Sequence, residues 1–203
     1  MPEIKFCIWD VGQVMYKYSL NPLYEYCEKR TTNLDEFNNK KGKFSYDEYM
    51  KGNTEWNDFC QQLCDFYYIP FSKDTQENFK NAFISGIGEY FSETIDVIKH
   101  LNSINIENGM LSNALPILTN TNKNRFLMKS EYIFRSGEIG LLKPDEKIYK
   151  FLIEKLNCKP EEIIFVDNEE KNVIAAQKLK INGVVFNHET IKNDIQKIIN
   201  NKP

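Results

Sequence analysis

Four short polar segments carry the side chains with which this chain could do chemistry. Asp10 and Gly12 follow an apolar run near the N-terminus, and Ser112–Asn113 follow a second apolar run. Lys143 stands at the start of an amphipathic stretch, and Asp167–Asn168 follow a fully apolar run. The set contains two carboxylates, a hydroxyl, two amides and an ammonium group.

This combination of groups suits the transfer of a phosphoryl group. The chemistry needs positive charge and hydrogen-bond donors around the phosphate oxygens, which Lys143, Ser112 and Asn113 can supply. A carboxylate such as that of Asp10 can be the in-line nucleophile, giving an aspartyl-phosphate that water then hydrolyses. Two carboxylates around one cation would bind Mg²⁺, which prefers oxygen ligands. We therefore expect Mg²⁺ as the cofactor, with Asp10 and Asp167 beside it.

The apolar pattern predicts an α/β domain with a Rossmann-like parallel sheet and helices on both faces. Ile4–Trp9 and Ile163–Val166 are short and almost entirely apolar, which is typical of strands buried on both faces. Shorter strands are predicted at 109–112, 132–134 and 183–186, with amphipathic helices in the stretches between strands. Ligands bind at the carboxyl ends of the strands in such sheets. The four polar segments should therefore meet at one edge.

Residues 16–87 differ from the rest of the chain in their sequence pattern, which predicts a small helical cap inserted after the first strand. The segment is rich in Tyr and Phe at helical spacing, and no strong strand pattern interrupts its middle. The α/β core domain would then comprise residues 1–15 and 88–203. An insertion at this point would lie over the carboxyl ends of the strands like a lid. Tyr16 and Tyr18, near the hinge, are candidates for lining a substrate pocket.

The composition excludes several classes of protein. The 203 residues are 41% hydrophobic and 27% charged, an ordinary globular composition. The net charge of -3 argues against a general nucleic-acid binder. The chain lacks a long apolar run and an N-terminal secretory pattern, so we expect no membrane span and no export. The five cysteines are odd in number and irregular in spacing, which indicates a reducing compartment, the cytoplasm.

Taken in order, the four segments resemble the motifs of the haloacid dehalogenase superfamily. They read WDVGQV, LSNA, GLLKPDEKIY and IIFVDNEEKNVIAAQKL, and the resemblance covers residues 3–15 and 90–187. The first motif is similar to that of small sugar-phosphate phosphatases of this superfamily, including glucose-1-phosphatase-like members. The resemblance implies a Mg²⁺-dependent phosphatase that acts on a small phosphorylated metabolite.

The resemblance also implies a role for each residue of the four segments. Asp10 matches the nucleophile, and Lys143 matches the lysine that neutralises the nucleophile and the phosphate. Ser112 and Asn113 match the residues that grip the phosphate. The metal ligands that it implies are Asp10, the backbone carbonyl of Gly12, Asp167 and Asn168.

Two positions depart from the motifs of that superfamily. Gly12 stands where many of its phosphatases carry an aspartate that acts as general acid and base, a role worth about a hundredfold to ten-thousandfold in rate. Its absence favours an anomeric or acyl phosphate over a simple alkyl phosphate, because such leaving groups need less protonation. Asn168 stands where the main acidic metal ligand is expected. An amide oxygen can coordinate Mg²⁺ but brings no charge.

These departures leave two alternatives beside the phosphatase. One is a non-catalytic or weakly active binding or regulatory module on the same fold, which Gly12 and Asn168 together would produce. The other is a metal-free 2-haloacid dehalogenase, which also uses an aspartate nucleophile but requires an arginine near the halide. Arg30 is the only arginine of the predicted cap.

Overall fold

In a computed structural model of the protein, residues 3–118, 128 and 130–200 are described, and they form an open α/β fold. The described strands are β1 (Phe6–Trp9), β2 (Tyr16–Tyr18), β3 (Ile87–Tyr90), β4 (Glu107–Ser112), β5 (Ile133–Arg135), β6 (Ile163–Asp167) and β7 (Asn182–Val185). Five of them form a parallel sheet in the order β5-β4-β1-β6-β7. The first strand is therefore central and pairs with β4 and β6.

Helices lie on both faces of this sheet. The described helices are α1 (Asn21–Arg30), α2 (Leu34–Lys40), α3 (Asp47–Met50), α4 (Trp56–Tyr67), α5 (Lys73–Ser85), α6 (Ser92–Ser103), α7 (Ser136–Ile139), α8 (Glu146–Leu156), α9 (Glu170–Lys178) and α10 (Ile191–Asn200). Cys7 and Trp9 of β1 pack with α6 and α10, whereas Phe6 and Ile8 pack with α8 and α9. Side chains alternate between the faces of a strand, so β1 needs apolar residues throughout. The predicted fold class is confirmed.

Helices α1 to α5 pack around a hydrophobic cluster of their own. The ring of Phe59 stacks on that of Tyr49 at 4.0 Å between centroids, and Phe37 and Tyr67 contact each other edge to face. Cys60 and Cys64 are buried in this cluster as free thiols. The aromatic residues of the predicted cap thus serve mainly to hold its helices together.

A short pair of antiparallel strands, which the sequence pattern did not predict, joins residues 20–85, called the helical segment below, to the sheet. Tyr16 pairs with Tyr90 and Tyr18 with Ile87, and the two strands contain three and four residues. No local periodicity can reveal such a pair, because the partners lie about 70 residues apart and each strand is too short to alternate visibly.

The helical segment also contacts the core at α7. The hydroxyl of Ser136 donates a hydrogen bond of 2.6 Å to the carbonyl of Met50. Beside it the backbones of Gly52 and Gly137 approach so closely that a side chain at Gly52 would collide with the carbonyl of Gly137. Gly52 has a φ of 76°, a conformation that also favours glycine. The segment is therefore held over the sheet edge at a second point.

Element boundaries differ from the predicted ones by one or two residues. The first strand begins at Phe6 rather than Ile4, and the last helix begins at Ile191 rather than near Glu189. Among the described residues, no helix combines the length and the apolar character needed to cross a membrane.

Candidate active site

Three neighbouring parallel strands bring the predicted residues to one edge of the sheet. Asp10 follows β1, Ser112 ends β4 and Asp167 ends β6. The backbone N–H of Asp10 donates to the carbonyl of Val166 at 2.8 Å, which ties the end of β1 to the end of β6. The loop before α8 adds Lys143 to the same edge.

Lys143 lies between two carboxylates. Its Nζ donates to Oδ1 of Asp10 at 2.6 Å and to Oδ2 of Asp167 at 2.7 Å. The side chains of Lys143 and Asp167 are each 1% exposed, and that of Asp10 is 13% exposed. Burial alone would lower the pKa of Lys143, but the two carboxylates raise it above its ordinary value, so the ammonium stays charged.

Asp10 is the more strongly perturbed partner of this group. Burial raises its pKa to about 6; Lys143 opposes the shift, and the charge of Asp167 adds to it. Two carboxylates share one ammonium, so the cluster carries a net negative charge in a poorly solvated place. Such a carboxylate can bind a cation or form a bond to an electrophile.

Asp167 is fully engaged by hydrogen bonds. Besides Lys143, its carboxylate accepts from the backbone N–H of Glu169 at 2.8 Å and from Nδ2 of Asn172 at 3.1 Å to each oxygen. Asn172 also donates to Glu169, and it was not among the predicted residues. The sequence feature that could have identified Asn172 is its position five residues after Asp167, in the first turn of α9. Asp167 is thus arranged to orient Lys143, and a metal ion would have to share its oxygens with these donors.

Asn113 holds the loop that carries Lys143. Its Nδ2 donates to the carbonyl of Lys143, and its Oδ1 accepts from the Lys143 backbone N–H, both at 2.9 Å. The side chain of Asn113 is therefore occupied, and a contact with phosphate would come from its backbone N–H. Ser112, which is 6% exposed, lies beside it at the end of β4.

A polar cavity of about 880 Å³ opens over this cluster and includes every residue predicted for the site. The described residues that contribute to its wall from the helical segment are Asp47, Met50, Lys51 and Asn53. Gly12 borders the cavity, and a side chain added there would meet nothing within 4 Å. The space that an acidic residue would occupy is therefore open.

The predicted metal ligands fit Mg²⁺ in donor type but hold little charge for it. Asp10, Asp167 and Asn168 line the same cavity as Gly12, and all four present oxygen atoms. Asp167 is already engaged, and Asn168 is exposed and neutral. Among the described residues, no group of three or more His, Cys, Asp and Glu could hold a metal ion. A magnesium ion at this edge would therefore depend mainly on Asp10.

A second, apolar cavity of about 200 Å³ adjoins the polar one. Tyr16 and Tyr18 both line it, as predicted for the residues near the hinge. Arg30, in contrast, is exposed at the end of α1, where its guanidinium lies 5.9 Å from the ring centroid of Tyr26, and it lines neither cavity.

Comparisons with known proteins find a family match over most of the chain. The sequence model of the haloacid dehalogenase-like hydrolase family matches residues 4–180. Among curated proteins, drimenol cyclase drtB of Aspergillus calidoustus is 30% identical over 69 residues, which are 34% of this chain and 12% of that protein. The chain thus matches only a small part of that relative.

Solved structures match over nearly the whole chain. A HAD family enzyme of Bacteroides thetaiotaomicron, bt-2542, solved with magnesium and inorganic phosphate, has a TM-score of 0.73 and 23% identity, covering 91% of this chain and 95% of that one. A predicted HAD-like family hydrolase of Porphyromonas gingivalis has a TM-score of 0.77 and 19% identity, covering 99% and 100%. A dehalogenase also matches, with a TM-score of 0.63 and 16% identity over 92% of this chain and 86% of that one. At these identities the structures establish the fold.

Proposed function

Because this chain belongs to the haloacid dehalogenase-like hydrolases, we propose that it is a Mg²⁺-dependent phosphatase of a small phosphorylated metabolite. The observation that carries the proposal is the buried ammonium of Lys143 between the carboxylates of Asp10 and Asp167, at 2.6 and 2.7 Å. The ammonium offsets the charge of one carboxylate, and Mg²⁺ would offset the rest, so that a phosphate dianion can approach Asp10. The bt-2542 enzyme, solved with magnesium and phosphate, makes the same ligands reasonable here.

The proposed chemistry uses these groups as follows. A carboxylate oxygen of Asp10 attacks phosphorus, and the bond from phosphorus to the ester oxygen breaks as the new bond forms. Lys143 and the donors near Ser112 neutralise the phosphate oxygens. Water then attacks the phosphorus of the aspartyl-phosphate, which releases inorganic phosphate and restores Asp10. Mg²⁺ bound by Asp10, Gly12, Asp167 and Asn168 would supply further positive charge to the phosphate oxygens.

The proposal is tested with acetyl phosphate and p-nitrophenyl phosphate in the presence of Mg²⁺. We expect hydrolysis of both and a loss of at least about a thousandfold in kcat for Asp10→Asn, because the nucleophile is removed. Asp96→Asn, the same change at a carboxylate whose side chain is 78% exposed, is the matched control. Mass spectrometry of acid-quenched protein should find one added phosphoryl group in the wild type and none in Asp10→Asn. Failure to hydrolyse any phosphate ester would contradict the proposal.

A non-catalytic binding module is the second candidate, and the full engagement of Asp167 favours it. Titration calorimetry with Mg²⁺ separates the two functions. A module would bind Mg²⁺ no more tightly than millimolar and would hydrolyse no ester. A metal-free dehalogenase has less support, because Arg30 lies away from both cavities and Arg135, which borders the apolar one, is paired with Glu138. Release of chloride from a 2-chloro acid would be its direct assay.

A further inference from the structure

The two cavities share a wall, and this limits where the organic part of a substrate can lie. Gly12, Tyr18, Met50, Ser112 and Asn113 border both of them. A phosphate ester whose phosphorus lies at the nucleophile, in the polar cavity, can place its organic part across this wall into the apolar cavity. The apolar cavity therefore selects the leaving group, if the chain is the phosphatase proposed above.

The size and lining of the apolar cavity suit a single ring. Its volume is about 200 Å³, and apolar cavities of about 150 Å³ hold one benzene molecule. Much of its lining consists of apolar side chains from both the core and the helical segment: Val11, Leu20, Met110, Ala114, Leu115 and Leu118. A planar ring with one small substituent would fill this space.

Among the described residues, few polar groups line this cavity, which disfavours a sugar. The hydroxyls of Tyr18 and Tyr46 are buried and make no hydrogen bond with any described residue. Burial also keeps the pKa of Tyr18 above its ordinary value, so the hydroxyl remains able to donate. Arg135 borders the cavity but already donates to Glu138 at 2.8 Å. A sugar would bury several hydroxyls with few partners, and each unpaired one weakens binding on the order of tenfold.

The bond that breaks imposes a second condition on the leaving group. Gly12, two residues after the proposed nucleophile, provides no acid to protonate the departing oxygen. A leaving group that is stable as an anion, such as a phenolate or a carboxylate, needs no proton in the transition state. An alkoxide from a simple alcohol does need one. The missing acid therefore favours a leaving group that is stable as an anion, and the lining of the cavity favours one that is aromatic.

We propose that the substrate is an aryl or aroyl phosphate whose single ring occupies the apolar cavity, with one polar substituent within reach of the Tyr18 hydroxyl. In the reaction Asp10 takes the phosphoryl group, and the phenolate or benzoate-type anion leaves with the bonding electron pair. Water then completes the hydrolysis and supplies the proton that the released phenol takes up.

The test uses two acyl phosphates with leaving groups of similar acidity. Acetyl phosphate and benzoyl phosphate react by the same chemistry, so the ratio of their kcat/KM values measures the contribution of the ring. We expect benzoyl phosphate to be favoured at least tenfold, in line with burial of one ring. We also expect phenyl phosphate to be hydrolysed faster than glucose 1-phosphate. Equal kcat/KM values for acetyl and benzoyl phosphate, or faster hydrolysis of glucose 1-phosphate than of phenyl phosphate, would overturn the inference.

A pair of leucine variants tests whether the apolar cavity causes the preference. Leu115→Asn places an amide in the cavity and should reduce the benzoyl-to-acetyl ratio to about one third or less. Leu34→Asn makes the same change at a residue that is 50% exposed in α2, and it should leave the ratio unaltered. If both variants keep the wild-type ratio, the ring does not lie in this cavity and the inference is wrong.

Binding of p-cresol to the wild-type protein provides a measurement that needs no turnover. NMR shifts confined to the methyl groups of Met110, Leu115 and Leu20 would support the pocket assignment, and the absence of such shifts would contradict it. If acetyl phosphate is hydrolysed without preference for the ring, the phosphatase proposal stands and this inference fails. If no ester is hydrolysed, the phosphatase proposal fails, and p-cresol binding alone decides whether the cavity accepts an aromatic ring.

Discussion

The two cavities that meet at Gly12 differ in the interactions that hold their walls in place. In the polar one, Lys143 is held by two ion pairs shorter than 3 Å, and Asn113 and Asn172 fix the groups around it. In the apolar one, side chains from the core and from the helical segment meet with few directed contacts, and the Tyr18 hydroxyl has no described partner. The proposed chemistry thus lies on a rigid edge, and the proposed selection of the leaving group lies on a surface of packed side chains.

This difference determines how each region should respond to mutation. A buried ion pair that loses one member leaves an uncompensated charge, whereas a packed apolar side chain can be replaced by one of equal volume at small cost. Changes at the polar edge should therefore alter rate and stability together. Changes in the apolar cavity should alter which ester is preferred.

Removal of the ammonium group is expected to have the largest effect. Lys143→Met leaves Asp10 and Asp167 buried side by side without a cation, which should reduce the free energy of unfolding by about 3–5 kcal/mol. The same change should lower kcat for acetyl phosphate by about a hundredfold to a thousandfold, because the charge that stabilises the phosphate oxygens is lost. Urea unfolding and steady-state kinetics measure the two effects.

Two controls determine whether this effect belongs to the polar edge. Lys171→Met removes an ammonium that is 62% exposed at the rim of the same cavity, and it should change the free energy of unfolding by less than about 1 kcal/mol. Met110→Leu conserves volume in the apolar cavity and should cost less than about 1.5 kcal/mol. If Met110→Leu destabilises the protein as much as Lys143→Met, the proposed difference between the two regions is wrong.

The polar edge was largely predictable from the sequence, and the apolar cavity was not. Asp10, Ser112 and Asp167 each follow or end a short apolar strand, and parallel strands must bring such positions to one edge. The engagement of Asn113 and Asn172 was missed, because whether an amide binds a ligand or a neighbouring loop depends on distances that no periodicity encodes. The apolar cavity depends on β2 pairing with β3 and on Met50 meeting Ser136, contacts between positions about 70 and 86 residues apart.

The second prediction concerns the effect of a charged Asp10, the proposed nucleophile, on the stability of the fold. Because the pKa of Asp10 is raised to about 6 in the folded protein, from about 3.9 in an unfolded chain, ionisation of Asp10 destabilises the fold. Asp10→Asn should therefore unfold at higher urea concentration than the wild type at pH 7.5, with a gain of up to about 3 kcal/mol. The gain should shrink as the pH falls below 6, reach about 0.5 kcal/mol at pH 4 and vanish below about pH 3, where Asp10 is protonated in both states.

The measurement is urea unfolding in the presence of a chelator at several pH values. Asp96→Asn, at an exposed site, should follow the wild type within about 0.5 kcal/mol throughout. A gain for Asp10→Asn that persists unchanged at pH 4 would have a cause other than the charge. The gain would then come from better packing of the asparagine. The polar edge would in that case resemble the apolar cavity more closely than its ion pairs indicate.

The smallest expected effect is on Mg²⁺ affinity, and it separates the sheet edge from the helical wall of the same cavity. Asn168→Asp adds a carboxylate at the end of β6, next to Asp167, and should tighten Mg²⁺ binding by about tenfold, since each added ligand charge strengthens a site of hard oxygen donors. Asn53→Asp adds an equal charge to the opposite wall, where Asn53 donates to Glu48, and it should change the affinity by less than about threefold. Calorimetric titration of both variants and the wild type with Mg²⁺ measures these affinities. Equal gains would mean that Mg²⁺ responds only to the overall charge of the cavity, whereas a gain confined to Asn168→Asp places the metal at the strand ends, on the side of the cavity that holds Asp10.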